Sequence, residues 1–497
     1  MVDPGKARPR ARRWDVVAEG AAGNGVDDDT ETLAGVFDKA AAGDEIWYTP
    51  DRAFKLTAPI TLNKPLRHLG YGAELVQTAS DTTGIRLEGG ASGTVVAGLT
   101  FRGPQGTTYE PNGRALHVTG TPERWFENLF LHDVTFRDWG YGGLYARWAR
   151  HLVTLDVVVE DVQYAGLDHF SCADVHHWNP TVRRLTGIPK NGFMQSYGIA
   201  FNRWRLTNLT EDPRCDNCWV WGGEIDSVPW EAIDTHGGAR IHALGTRITN
   251  SYHGFAAVPS PDPQGVDTYA PLDILAAHLD IDGEVDDGSK GSGIRIVGAG
   301  RRDNTVERST GHIIGGSIAR MGSGIDALGR PGDRNTTAGG VQLYLTRGVT
   351  VTGTHIKECR PFGVSLWYDN SGVLLDDITV VDPWHPEFPP VAAVASRDTG
   401  NSWTLGSVRL KRGTKQAAYV CRVGQYVSKN DRTAWFRIGT DDFSAATDQA
   451  FRGGAASQVK IGTTQQQHVK PALPRVPTPA EINQRITDLR ASQPPPR

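Results

Sequence analysis

The 497-residue sequence contains no apolar run near the ~18 residues that a membrane span requires. Apart from a short basic stretch at Lys6–Arg13, it has no Lys/Arg-rich block, and its formal net charge is −4. That balance argues against nucleic acid as a partner. No apolar segment follows Met1-Val-Asp-Pro-Gly5 and the basic stretch, so no signal peptide is expected. Cysteine is scarce: Cys172, Cys215, Cys218, Cys359 and Cys421. Cys215-Asp-Asn-Cys218 has CxxC spacing, but a zinc site would need a second pair or two histidines at matching spacing. The pair reads as a structural loop or a local disulfide, and no metal is expected. Between residues 85 and 395 no amphipathic helix of ordinary length is visible.

Glycine is abundant instead, 58 residues of 497, well above the usual ~7%. Short β-branched stretches broken by Gly, Asn and Asp fill residues 85–395. A triplet recurs through them: small residue, large apolar residue, variable residue. It reads Gly143-Leu-Tyr145, Gly166-Leu-Asp168, Gly198-Ile-Ala200, Ala232-Ile-Asp234, Gly254-Phe-Ala256, Gly293-Ile-Arg295, Gly324-Ile-Asp326 and Gly363-Val-Ser365. The spacings are 23, 32, 34, 22, 39, 31 and 39 residues. The short ones fit one bare coil of a solenoid, the long ones a coil with an added loop. Stacking buries each triplet's apolar residue, and strand alternation turns the third residue outward. Ten or more coils are expected from this repeat.

Near the start, Trp14-Asp-Val-Val-Ala-Glu-Gly20 leads into Gly23-Asn-Gly-Val-Asp-Asp-Asp-Thr30. Leu33, Val36, Phe37 and Ala40 then form one apolar stripe, so a helix is expected over 30–41, with Asp29 or Thr30 as its cap. Glu45-Ile-Trp-Tyr-Thr-Pro50 reads as a strand. Through Gly23, Gly25, Asp28, Asp29, Thr30, Leu33 and Pro50 the stretch 14–60 resembles the N-terminal entry of the pectate-lyase-like, right-handed parallel β-helix superfamily. Val17-Ala-Glu-Gly20 departs from the Asp-Phe-Gly usual in the first strand. The resemblance implies an all-β, right-handed parallel β-helix solenoid whose short N-terminal helix covers the open strand edges. The expected organisation is a lead-in at 1–13, an N-terminal cap at 14–60, the β-helix at 61–395, a C-terminal β region at 396–470 and a Pro-rich tail at 471–497. In that tail Ile482, Ile486 and Leu489 form a short amphipathic turn, read as docking on a neighbour or staying mobile.

If the triplet register holds, Asp168 and Asp234 share one outward column two coils apart, with Ala200 between them. Two inter-strand spacings put their Cβ atoms roughly 9–10 Å apart. Carboxyls leaning inward then reach the ~6.5–9.5 Å of inverting glycosidases. His236 lies outward on the strand of Asp234, and Asn202 beside Ala200. Glu224 and Asp226 form a second outward pair, expected one strand away and near Glu160, where they serve as a reserve pair or raise the acid's pKa by like-charge repulsion. The full gathering is Glu160, Asp168, His169, Glu224, Asp226, Glu231, Asp234 and His236. Asp168, Glu224, Asp226 and Asp234 are the expected acids and bases, with His236 orienting a carboxylate or a sugar hydroxyl. Eight of the 14 tryptophans fall between 125 and 230. They suggest sugar-stacking platforms, and Trp178, Trp204 and Trp230, with Arg147, Tyr197, Asn202 and Arg295, are the expected substrate contacts.

These residues point to a glycoside hydrolase that cleaves a polysaccharide internally. The resemblance adds a bacterial surface or cell-wall glycan as substrate, a phage tailspike or extracellular setting, and a homotrimer. A polysaccharide lyase is the second reading. It would abstract a proton from a uronate with Tyr197, Lys190, His236, Arg147 or Arg295, and hold Ca²⁺ on its aspartates. A non-catalytic glycan-binding tail protein is the third. The Asn-Thr-Asp, Asp-Asp and Gly-His-Gly set of plant-type pectinases is missing, and Asp234-Thr-His-Gly237 is a partial echo of it.

Overall fold

A computed structural model describes residues 11–104, 108–190, 193–204, 207–284, 290–301, 304–322, 338–384, 391–396, 402–411, 418–423, 458–461 and 473–493. The chain winds as a parallel β-helix. One 13-stranded sheet takes a single strand from each coil, and a 27-stranded sheet supplies the other two faces. A representative coil runs Ala165–Phe170, Ala173–Trp178 and Thr181–Arg183. The next repeats it as Tyr197–Asn202, Asp216–Trp221 and Glu224–Asp226. The Phe126–His132 and Thr135–Arg137 strands meet at the long strand Val95–Arg102, which pairs with both and so joins the two faces. Strands Ser402–Leu405, Val408–Lys411, Ala418–Val423 and Gln458–Ile461 extend the same ladders.

The apolar residue of each described triplet is interior: Leu144, Leu167, Ile199, Ile233, Phe255, Ile294 and Val364 all belong to one continuous core. The glycine before it is required by the stacking. A Cβ on Gly166 would stand 2.4 Å from the carbonyl oxygen of Gly198 in the next coil, and 2.9 Å from Val182. Corners are turned by residues with left-handed backbone, which Asp, Asn and Gly tolerate best. Asp156, Asn179, Gly222 and Gly245 hold successive corners this way, and Asn179 Nδ2 donates to Asp156 Oδ1 at 2.6 Å.

One triplet is corrected. Gly324-Ile-Asp326 lies outside the described residues, and Gly340-Val-Gln342 fills that coil: Gln342 pairs with Arg295 on one side and Ser365 on the other.

Helix α1 spans Thr30–Lys39, with Leu33, Val36 and Phe37 buried. Asp29 stands at its N-cap, but its carboxylate accepts from the backbone N–H groups of Ala22 and Gly23 and not from the helix. Helix α2, Pro479–Ala491, opens with a capping box between Thr478 and Glu481. It lies on the same chain: Ile482 and Ile486 are buried against Leu155, Trp221, Leu244 and Leu275 on the outside of the larger sheet. Arg490 pairs with Asp156. Cys172, Cys215, Cys218 and Cys359 are buried free thiols, so Cys215 and Cys218 form no local disulfide. Among the described residues no helix is long and apolar enough to cross a membrane.

Candidate active site on the 13-stranded sheet

The outward column of the smaller sheet reads Arg86, His117, Tyr145, Asp168, Ala200, Asp234, Ala256 and Arg295, each paired with the next. Asp168 and Asp234 therefore stand two coils apart with a methyl group between them. They face away from the solenoid core, yet they are buried: Asp168 is 3% exposed and Asp234 fully covered. The coils here carry the long insertions seen as wide triplet spacings, and aromatic side chains close over the sheet. Tyr141, Tyr145 and Ala165 pack with Tyr164, Phe170, Tyr197 and Trp204 in a cluster outside the main core.

Burial governs the chemistry of both carboxyls. Each is pushed up to about 7, mainly by loss of solvent. Hydrogen bonds oppose that push. Tyr141 donates its hydroxyl to Asp168 Oδ2 at 2.5 Å, and Arg114 adds a favourable charge. Asn202 Nδ2 donates to Asp234 Oδ2 at 3.2 Å, and Arg295 lies near enough to act on Asp234 by charge. Asp168 also raises Asp234 through like-charge repulsion. The expected repulsion from Glu224 and Asp226 has no part in it.

Glu231 belongs to the site as well. It opens the Glu231–His236 strand and is 2% exposed. Burial, then the neighbouring Asp234, drives its carboxyl well above the ordinary range. Glu231 Oε2 and Asp234 Oδ1 are both buried without a hydrogen-bond partner, and a proton on one of the two neighbouring carboxyls would join them. The sequence places Glu231 in the gathering of acids but not among the expected acids and bases; in the ladder it pairs with Tyr197. Tyr141 and Arg114 belong to the site although nothing in their local sequence marks them.

His236 lies at the rim, with 35% of its side chain exposed and Nε2 3.6 Å from Asp234 Oδ1. Its backbone N–H donates to Asn202 Oδ1 at 2.6 Å, so one amide ties both neighbours together. Ligand atoms of Glu231, Asp234 and His236 lie within 4.8 Å of one another. Two carboxylates and an imidazole match Ca²⁺ poorly, since that ion takes about six to eight oxygens. A proton shared between the carboxyls satisfies the same atoms.

Of the expected substrate contacts, Tyr197, Asn202, Arg147 and Arg295 stand on this sheet, and Trp204, just past the Tyr197–Asn202 strand, packs on its Phe170. The Arg147 guanidinium lies 4.5 Å from the Trp204 ring centre. Trp230 flanks Glu231 and stacks on Tyr252 at 4.9 Å. Trp178 is elsewhere. It stacks on Trp221 at 4.6 Å on the outside of the larger sheet, and Trp139 is core. The tryptophan-rich segment thus serves three places, since each coil visits all three faces in about 23 residues, the Tyr145-to-Asp168 interval.

Glu224 and Asp226 are also on another face. Their strand pairs with Thr181–Arg183, which in turn pairs with Val158–Glu160. Asp226 accepts from Thr249 and Ser227, and Arg183 stands between it and Glu160. Glu160 is held by Arg183 and Arg184. These acids do not meet Asp168 or Asp234. His169 points into the core, its ring packed on Phe201.

No family model matches this sequence, and no curated protein does. Among solved structures, the Agl-KA catalytic domain is similar over 85% of this chain and 67% of its own, with TM-score 0.53 and 14% identity. An α-1,3-glucanase catalytic unit from Streptomyces thermodiastaticus covers 86% and 68%, with TM-score 0.44 and 13% identity. The Streptococcus pneumoniae adhesin PfbA covers 83% and 100%, with TM-score 0.45 and 10% identity. At such identities the likeness is one of fold: the chain is a right-handed parallel β-helix.

Proposed function

We propose that this protein hydrolyses internal glycosidic bonds of a polysaccharide, with Asp168 and Asp234 as the catalytic pair. One observation carries the reading: two buried carboxyls share an outward column two coils apart, each with its pKa near 7. Near neutrality such a pair populates the state with one proton, which an acid–base hydrolysis needs.

Asp234 is the base. It accepts from Asn202 and from the protonated Glu231, and both bonds favour its carboxylate. Asp168, with Tyr141 as its single side-chain donor among the described residues, is the acid. Asp168 gives its proton to the glycosidic oxygen as the bond to the anomeric carbon breaks. Asp234 takes a proton from water, whose oxygen attacks that carbon from the opposite side. Two strand spacings, roughly 9–10 Å, leave room for both the water and the sugar. His236 orients Asp234 or a sugar hydroxyl from the rim.

The setting in keeping with this activity is a virion tail or an extracellular protein that acts on a bacterial surface or cell-wall glycan as a homotrimer. The test is incubation of purified protein with capsule, cell-wall and exopolysaccharide preparations, with product masses and new reducing ends as the readout. Shortened chains with saturated ends support hydrolysis. Unsaturated uronate ends would replace it with elimination, and no shortening of any preparation over hours would sink the enzymatic reading.

A further inference from the structure

Arginines on this molecule follow two regimes. On the larger sheet five are neutralised by neighbours one coil or more away: Arg137 by Glu74, Arg150 by Glu127, Arg183 by Glu160, Arg240 by Asp216 and Arg320 by Asp282. On the sheet that carries Asp168 and Asp234, Arg86, Arg114 and Arg295 form no ion pair among the described residues. The Nε atom of each is buried without a hydrogen-bond partner. A half-buried guanidinium without a counter-ion is costly to keep unless a ligand supplies the charge.

Their placement is ordered. Arg86 precedes His117 in the outward column, and Arg114 lies on the His117 strand, two coils before Asp168. Arg295 lies two coils beyond Asp234. Arg114 is braced flat against Tyr145, its guanidinium carbon 4.0 Å from the ring centre. Arg86, Arg114 and Arg147 are all close enough to act by charge on His117, which stays neutral with its pKa held at about 3, mainly by burial. Three cations thus converge around a neutral ring on one side of the carboxyl pair, and one cation stands on the other. From the coil of Arg114 to that of Arg295 is six inter-strand spacings, roughly 29 Å, the length of several sugar residues.

We infer that this face binds an acidic glycan: Arg86 and Arg114 hold a carboxylate, sulfate or phosphate group on one side of the cleavage point, and Arg295 holds a second on the other. The inference rests on the glycan reading of the site and adds the charge class of the substrate. Guanidinium forks suit such oxyanions because they donate two parallel hydrogen bonds.

The experiment is affinity electrophoresis of the full chain in gels cast with alginate, polygalacturonate or hyaluronate, beside gels with carboxyl-reduced alginate or dextran. At least one acidic gel retards the protein, neither neutral gel does, and added salt weakens the effect. Arg86→Gln and Arg114→Gln each lower the apparent affinity about tenfold, whereas Arg137→Gln on the larger sheet leaves it unchanged. Among the described residues Arg86 has no ring contact, so its variant separates charge from the packing that Arg114 also supplies. Arg114→Lys restores part of the binding. Retardation in none of the acidic gels, equal retardation in the neutral ones, or wild-type binding by the Arg86, Arg114 and Arg295 variants overturns the inference. Cleavage of a neutral glycan without acidic binding would sink it and spare the hydrolase. Acidic binding with no glycan shortened would do the reverse.

Discussion

Asp168 and Asp234 face the same way from strands two coils apart, and only Ala200 lies between them. That spacing follows from the sheet, because neighbouring strands are fixed ~4.8 Å apart and leave little freedom in how far the carboxyls can stray. Asp168→Asn and Asp234→Asn should each lower turnover by 10²-fold or more on a confirmed substrate, the typical loss for a general acid or base. Asp226→Asn and Glu224→Gln, on another face, should leave it unchanged. Reducing-end assays on variants with wild-type circular dichroism decide this, and full activity in both Asp168 and Asp234 variants would refute the assignment.

The pH profile offers a second check. With both carboxyls near 7 and coupled, kcat/KM should form a narrow bell around neutrality whose limbs belong to the pair and not to either residue. A rate that stays flat between pH 5 and 9 would exclude this dyad.

Stability should move with pH in a defined direction. Asp168 and Asp234 have folded pKa values of about 7, raised from 3.8. Between those values the folded state holds more protons than the unfolded one. These groups therefore favour folding fully below about pH 4 and lose that contribution as pH rises through 7. Buried His68, His117 and His253, lowered to about 3, act oppositely but are spent once pH exceeds their unfolded value of 6.5. Most of the carboxyl loss falls between about pH 4 and 7, where these histidines work against it, so the Asp168→Asn, Asp234→Asn double variant isolates it: from pH 4 to 7 the melting temperature of the wild type should fall relative to that of the variant.

Gly166→Ala tests the stacking. The new Cβ would meet the Gly198 carbonyl at 2.4 Å, and such overpacking typically costs ~1–3 kcal/mol. Denaturant unfolding should show the loss, together with reduced activity because the next coil displaced is the one that separates the carboxyls.

Helix α2 gives a graded pair of variants. Ile482→Ala removes a side chain that is 1% exposed, at a cost of about 2–5 kcal/mol. Arg490→Ala breaks a partly exposed ion pair with Asp156, worth about 0–1 kcal/mol. Equal effects in calorimetry would mean that the apolar contact is not what holds the helix.

The carboxyl column is legible in the sequence because Gly166, Gly198 and Ala232 each mark where a coil begins, so residues two positions later must align. Between the coils of Arg295 and Ser365 the ladder takes Gly340-Val-Gln342, which the triplet series omits, while Gly324-Ile-Asp326 lies outside the described residues. Glu231 is legible as a member of the acid-rich segment, but its partnership with Asp234 is not, because it depends on burial of both carboxyls. Glu224 and Asp226 mislead for another reason. A one-dimensional pattern reports that a residue points outward, but not which of three faces it leaves. Burial is the least legible property, because it depends on Tyr141 and other aromatics from neighbouring coils packing over the sheet.

The docking of α2 bears on how the molecule comes apart. A solenoid whose coils touch only their neighbours can fray from one end while its middle stays intact. Here Arg490 is tied to Asp156, 334 residues earlier, and Ile482 and Ile486 seal Trp221 and Leu244. Detachment of the chain's last helix would unseal apolar surface at mid-body in the same event. Loss at the terminus is thereby linked to stickiness at the waist, and tail-clipped forms should self-associate where intact ones do not.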